Sequence, residues 1–436
     1  MPGIDPSFPV IRFRDARLSN GLRVIVAPDH LAPVVAINVW YDVGSKHEQP
    51  GRTGFAHLFE HLMFQGSRHV RKTEHFAIVQ GAGGVLNGTT YFDRTNYFET
   101  LPSHRFELGL WLEADRMATL LDALDQENLD NQREVVKNEK RQSYDNRPYG
   151  SFYERLMAAI FPADHPYSHT PIGSMADLDA ATLDDVRAFF ATYYVPNNAV
   201  LSIVGDVDPD EALAAAGRYF EPIPPNANVP APGDLSVAPT LGREVRAIVE
   251  DAVPLERVHV AFRIPPFGTS QFDALEVATQ IAAGGQGSRL HRRLVREERL
   301  AHDVALFALP LVDGASVLAG WATARPEHPI ASVEAVLMEE LQRLVDVPPT
   351  ADELARAGAL IETDELSALG QVDEVADRLG MFATYFDDPD RVNRQLERYL
   401  AVDADAIRAA LSEVIRPDNR VLLTYVPGGG AGEEAA

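Results

Sequence analysis

Two histidines and a glutamate stand in one short apolar run, Gly54-Phe55-Ala56-His57-Leu58-Phe59-Glu60-His61-Leu62-Met63-Phe64. On an α-helix, positions i, i+3 and i+4 lie on one face, so His57, Glu60 and His61 point the same way. Two imidazoles one turn apart can grip one zinc ion. A carboxylate on the same face can take a proton from water bound to that ion. The order inverts the commoner H-E-x-x-H zinc motif. A core helix gains nothing from three ionisable groups on its most apolar face, because burying such groups unpaired costs about 2–7 kcal/mol. A metal is the simplest compensation.

A zinc site of this kind needs a third protein ligand and leaves the fourth position to water. The stretch Glu127 to Lys140 reads as an acidic helix and offers two candidates, Glu134 and Glu139. Five apart, they do not share a face. The inverted motif, the downstream glutamate and the flanking residues together resemble the pitrilysin family of zinc metallopeptidases. The half-length, two-domain type, like the subunits of mitochondrial processing peptidase, is the nearest in form. In that family the third ligand ends a pattern like Arg-x-Val-Val-x-x-Glu, matched here by Arg133-Glu134-Val135-Val136-Lys137-Asn138-Glu139. The resemblance therefore implies zinc, one per chain, on His57, His61 and Glu139, with Glu60 as general base. Gln132 departs from the family, whose members often carry a helper glutamate there; an amide can still orient a ligand.

The chain has 436 residues, 46% of them hydrophobic and 24% charged, the balance of a water-soluble chain with room for two to three domains. A net charge of −25 argues against nucleic acid and anionic membrane as partners. With no cysteine, disulfides, thiolate zinc sites and a cysteine nucleophile are excluded. No run of about 18 apolar residues is present to span a membrane. Met1-Pro2-Gly3-Ile4-Asp5-Pro6 lacks the basic head and apolar core of a signal peptide. The direct expectation is a cytoplasmic protein, or a periplasmic one if a signal has been trimmed.

The elements that must position the motif follow from patterning. Val10 to Arg17 and Leu22 to Pro28 alternate as strands about an Asn20-Gly21 turn, and Val34 to Val43 is a third strand. Gly44 to Gly54 is a polar loop leading into the motif helix. Val85 to Phe92 and Thr95 to Leu101 form a hairpin turned at Asp93-Arg94. In the family the matching strand lies beside the metal and pairs with an extended substrate, and Asn87 falls at the position of a substrate-binding asparagine. His104 to Leu124 is helical, with Trp111, Leu112 and Met117 in the core. Asp145 to Pro171, with His165 and His169, reads as a surface loop near the cleft. Leu183 to Tyr194 is a helix and Asn198 to Val204 a strand.

Glu221 to Gly242 holds Pro222, Pro224, Pro225, Pro230, Pro232 and Pro239, a semi-rigid linker. Beyond it the first half recurs at an offset of 221 residues. Gln65-Gly66-Ser67-Arg68 returns as Gln286-Gly287-Ser288-Arg289, Pro196 and Asn198 as Pro417 and Asn419, and Val186-Arg187-Ala188 as Ile407-Arg408-Ala409. Three separated segments sharing one offset indicate a duplicated domain. His57, Glu60, His61 and Glu139 fall on Ala278, Ile281, Ala282 and Leu360, so the second copy keeps a fold without a metal site. The expected divisions are 1–220, a zinc-bearing domain; 221–242, the linker; 243–427, the homologous domain; and 428–436, a disordered tail. The fold class is α+β: two homologous domains, each a mainly antiparallel sheet with helices packed on one face, an architecture the family resemblance implies.

The expected function is a zinc-dependent metalloendopeptidase that hydrolyses oligopeptides or unfolded segments by a Glu60-activated, zinc-bound water. Two rivals remain: a catalytically weak scaffold or partner subunit of a two-chain peptidase, and a zinc hydrolase of non-peptide amides. Family enzymes use four such domains, so the resemblance also implies a homodimer or a heterodimer with a homologous half-chain. The partner half normally contributes an arginine and a tyrosine from its second repeat. Arg296 matches the arginine, and His302 stands at the tyrosine position.

Overall fold

The computed structural model describes residues 8–428. The segment expected to lack a signal peptide, Met1 to Pro6, and the expected tail beyond residue 428 lie outside them.

Six strands make the first sheet: β1 (Arg14–Arg17), β2 (Arg23–Pro28), β3 (Val34–Tyr41), β4 (Val85–Thr90), β5 (Thr95–Pro102) and β6 (Ala199–Gly205). Their order is β1-β2-β6-β3-β5-β4, with β2 and β6 parallel and every other pair antiparallel. The β1–β2 turn closes through Leu18 N–H to Leu22 O, and Gly21 supplies its positive φ of 89°. Central β6, Ala-Val-Leu-Ser-Ile-Val-Gly, is buried along its whole length, as a covered interior strand should be.

The second sheet contains β7 (Val245–Asp251), β8 (Arg257–Ile264), β9 (Ala301–Leu309), β10 (Ser316–Ala324) and β11 (Arg420–Pro427). Its order, β7-β11-β8-β10-β9, repeats β2-β6-β3-β5-β4, down to the parallel pair β7 and β11. The duplication read from the 221-residue offset is thus present in the topology.

The helices are α1 (Phe55–Leu62), α2 (Glu74–Gly81), α3 (Phe106–Ala123), α4 (Gln126–Lys140), α5 (Phe152–Ile160), α6 (Met175–Ala180), α7 (Leu183–Tyr193) and α8 (Pro209–Phe220). After the linker come α9 (Ser270–Ala283), α10 (Ile330–Asp346), α11 (Ala351–Leu369), α12 (Val372–Phe386), α13 (Gln395–Leu400) and α14 (Ala404–Val414). None is long and apolar enough to cross a membrane.

The chain forms two compact units, and neither is contiguous. The first holds the chain through Glu139, His169–Gly233 and Leu366–Gln395; the second holds Lys140–Ser168, Asp234–Glu365 and the chain from Leu396. One crossing, Gly233 to Asp234, falls inside the proline-rich stretch. The other crossings let corresponding helices trade places: α12 packs in the first unit and α5 in the second. Within the first unit, alternate residues of β3 face opposite ways. Ile37 meets α3, where a Cβ on Gly109 would stand only 2.5 Å from its Cδ1. Trp40 faces α12, lies against Gly380 and donates Nε1–H to Asp377 at 2.9 Å. The α+β class holds, and α12 adds a helix on the other face of the first sheet.

The reading of Asp145 to Pro171 as a surface loop is corrected. It contains α5, whose Phe152, Leu156, Met157 and Ile160 are buried. His165 is buried, stacked on Phe161 at 4.8 Å, with Nε2 at 3.0 Å from Leu235 O. Leu112 and Met117 are core as expected, whereas Trp111 is half-buried.

Between β5 and α3 lies a buried polar group: His75, Glu99, Glu113 and Arg116. Arg116 donates to both Glu113 oxygens and lies over the Tyr97 ring at 4.4 Å. Burial, and then the neighbouring Glu113, push the Glu99 carboxyl well above its usual range. Glu113→Ala leaves Arg116 charged and unpaired in the interior. It is expected to destabilise the fold by about 3–5 kcal/mol in denaturant unfolding. A loss under about 1 kcal/mol, the scale of an exposed pair, would mean that Arg116 finds another acceptor.

Candidate metal centre

The motif forms α1 because its apolar residues recur at helical spacing. Phe55, Phe59 and Leu62 are buried, as are Ala56 and Leu58, and Phe59 stacks on Phe189 of α7 at 5.3 Å. His57, Glu60 and His61 are only half-buried. This corrects one expectation: the three ionisable groups do not sit on the most apolar face of α1 but on the side left over by the apolar stripe, where burial still acts strongly on His57 and Glu60.

Glu139, near the end of α4, meets them. Its Oε2 lies 3.3 Å from His61 Nε2 and 3.7 Å from His57 Nε2. The imidazole centroids are 4.9 Å apart with ring planes at 82°. One ligating atom from each of the three residues falls within 4.8 Å of the others. Glu134 does not join them: its carboxylate pairs with Lys137 at 3.0 Å and is largely exposed.

Burial, followed by repulsion from His61, holds the His57 imidazolium well below its ordinary pKa, leaving the ring neutral at neutral pH. His57 Nδ1 is buried and has no hydrogen-bond partner among the described residues. The bond from His61 holds the Glu139 carboxyl below its usual range. Glu60 is pushed up, chiefly by burial, while the Thr90 hydroxyl, His61 and Arg94 pull it back.

Strand β4 runs beside α1 and is the sheet's outer edge, bonded to β5 on one side. Gly88 permits the close approach: a Cβ there would stand 3.2 Å from Glu60 Cγ and 3.0 Å from the Tyr97 ring. Asn87 is exposed on this edge, its Oδ1 accepting from Gly88 N–H at 3.0 Å. Gln132 is buried on α4, and its amide donates to Asn131 at 2.9 Å. Arg296 and His302 belong to the second unit, and both are exposed. Arg296 lies in the wide helical turn His291–Glu297, and His302 is the extra residue where the β9–β10 register shifts.

Sequence reasoning missed Glu48. Its side chain is completely buried, and it accepts from Gly54 N–H at 2.9 Å, Ala56 N–H at 2.8 Å and His169 Nε2 at 2.8 Å. An acidic residue shortly before an uncapped helix start was the available signal. His169, assigned to the loop, is its partner.

A duplicated α+β fold with an H-x-x-E-H helix in its first copy alone is the arrangement of the inverted-motif metallopeptidase class. Residues 23–170 match the profile described as Insulinase (Peptidase family M16), and residues 180–360 the profile of the Peptidase M16 inactive domain. The chain is similar to the zinc protease PqqE of Helicobacter pylori, 31% identical over 370 residues, covering 84% of this chain and 82% of that protein. It is also similar to an uncharacterized zinc protease of Streptomyces coelicolor, 24% identical over 419 residues, with 94% and 89% covered. The crystal structure of a protease from Helicobacter pylori superposes with a TM-score of 0.89 at 27% identity, covering 96% of this chain and 100% of that one. The chain belongs to peptidase family M16, the insulinase or pitrilysin family.

Proposed function

We propose that this protein is a zinc-dependent endopeptidase in which His57, His61 and Glu139 hold the ion and Glu60 is the general base. The observation that carries the reading is the convergence of two imidazole nitrogens and one carboxylate oxygen within 4.8 Å. The donor set suits zinc. Bonds of about 2.0–2.1 Å in tetrahedral array set ligand atoms roughly 3.3–3.4 Å apart, close to the 3.3 and 3.7 Å separations here. When bound, zinc supplies Lewis acidity and lowers the pKa of water toward about 7.

The chain's own residues do the rest. Glu60, one helical turn from His57 on the same side of α1, is placed to accept a proton from the attacking water and return it to the leaving amine. The unpaired side of β4 offers backbone N–H and C=O groups to an extended peptide, which favours peptides over other amides. Gly88 lets that edge lie against Glu60, and Asn87 projects from it toward solvent. The test is metal content together with cleavage of an unstructured peptide, with and without a chelator. About one zinc per chain is expected, with cleavage lost on chelation and restored by zinc. Chelator-resistant cleavage would overturn the reading.

The choice of Glu139 is tested separately. Glu139→Gln should weaken zinc binding by more than the roughly 10–100-fold that loss of an outer partner costs. Glu134→Gln should leave it unchanged, because that carboxylate pairs with Lys137. If only Glu134→Gln weakens binding, the wrong carboxylate has been chosen.

A second reading, a partner subunit of low activity, is favoured by one residue, the uncharged Gln132. Both readings accommodate a second half-chain that brings Arg296 and His302, or their homologues, to the scissile carbonyl. Donors there would stabilise charge developing on oxygen. Solution mass and activity of the purified chain decide: a fully active monomer would exclude the two-chain proposal.

A further inference from the structure

The two repeats differ at the start of the helix that carries the cluster. α9 spans Ser270–Ala283, 14 residues, whereas α1 spans Phe55–Leu62, 8 residues. At the 221-residue offset the two helices end together, Leu62 on Ala283. Gln49 to Gly54 therefore correspond to the opening turns of α9, and in the first repeat they are not helical. In the second repeat the cap is local: Thr269 Oγ1 accepts from Phe272 N–H at 3.2 Å. The residue matching Thr269 is Glu48.

Glu48 caps across the unwound segment. Its two carboxylate oxygens take the N–H groups of Gly54 and Ala56, and His169 braces one of them. Gly54 itself has no side chain to cap with. Its φ of 90° and a Cβ position only 2.9 Å from Ile172 O restrict the site to glycine. Beside it, Asp177 takes Thr53 N–H at 3.0 Å and Thr53 Oγ1–H at 2.6 Å. The start of α1 is thus tied to two side-chain acceptors, the buried Glu48 and the half-buried Asp177, and Ala56, the last N–H held, immediately precedes His57.

We infer that Glu48 is a positioning residue: through the N–H groups of Gly54 and Ala56 it fixes the height and rotation of α1, and hence of His57 and His61 relative to Glu139. The part concerning the ion rests on the zinc reading; the locking of the helix does not. A carboxylate is required because three donors converge on two oxygens. An amide has one acceptor oxygen, and its NH2 would face a donor. Negative charge also suits a helix N-terminus.

The test uses the full chain, with Glu48→Gln set beside a variant of buried Ile203 in β6, to valine or alanine, whichever matches its melting temperature. Zinc affinity is read by chelator competition, and amide hydrogen exchange of Leu58 to His61 is read on metal-free protein. Glu48→Gln should weaken zinc binding about 10–100-fold, the scale for partners that orient ligands, while the Ile203 variant stays within about twofold. The α1 amides of Glu48→Gln should exchange at least about tenfold faster than those of the matched variant, reporting local opening rather than global loss of stability. Zinc affinity equal to that of the matched variant would overturn the inference, even with faster exchange, because Glu48 would then only stabilise the helix. If the unmodified chain takes up no zinc, the zinc reading fails by itself and the exchange at α1 decides the role of Glu48. If Glu48→Gln does not fold, His169→Phe, which removes the brace and leaves the carboxylate buried, is read the same way.

Discussion

Glu60→Gln is expected to lower peptide hydrolysis by at least about 10²-fold, the lower scale for loss of a general base, while the chain still takes up zinc. The substitution keeps shape and length. Glu60 shares its side of α1 with both histidines, but it is absent from the three-residue cluster. Its neighbours are the Gly88 edge and Thr90, where a peptide and its attacking water would lie. An amide there holds the same space and can still donate or accept a hydrogen bond, but it cannot take a proton at neutral pH. The comparison of metal content with turnover separates this role from that of a ligand. If Glu60→Gln lost its zinc, Glu60 would be holding the ion; near-normal turnover with zinc retained would remove it from the chemistry altogether.

The centre was legible because it is local. His57, Glu60 and His61 follow from one helical period, and the apolar stripe of Phe55, Phe59 and Leu62 from the same period. Glu139 was not local. Periodicity left Glu134 and Glu139 open, and only the family pattern chose between them. The repeat was legible as well: one offset aligned three segments, and the sheets carry the same strand order. What escaped was non-local or masked by turn residues. α5 has apolar residues at 152, 156, 157 and 160, a helical spacing, but Pro148, Gly150 and the positive φ of Tyr149 precede it, and the whole stretch read as loop. The assignment of α12 to the first unit depends on Gly380 accepting the Trp40 ring and Asp377 accepting Trp40, Asn38 and Asn96. No period within α12 reports which sheet it covers. Glu48 escaped for a related reason: it acts on α1 across six residues without regular structure, and a cap is normally sought next to the helix it closes.

His61→Ala is expected to abolish both zinc uptake and hydrolysis, and to leave the metal-free protein nearly as stable as the unmodified metal-free chain. The two expectations have different physical sources. In the absence of metal, His61 contributes a partly exposed pair with Glu139, their side chains 22% and 40% accessible. Pairs that open to solvent are worth about 0–1 kcal/mol. With metal, the folded state gains binding free energy that the unfolded chain does not share, about 2.7 kcal/mol when free zinc stands at 100 times its Kd. Zinc should therefore raise the melting temperature of the unmodified chain and not that of His61→Ala. His57 and Glu139, 3.7 Å apart in the unmodified chain, are left as two ligands, and two do not make the three-ligand site that catalytic zinc requires. Melting curves with and without added zinc, beside metal analysis after dialysis, read the difference directly. A zinc-dependent rise in the melting temperature of His61→Ala equal to that of the unmodified chain would place the ion elsewhere in the molecule.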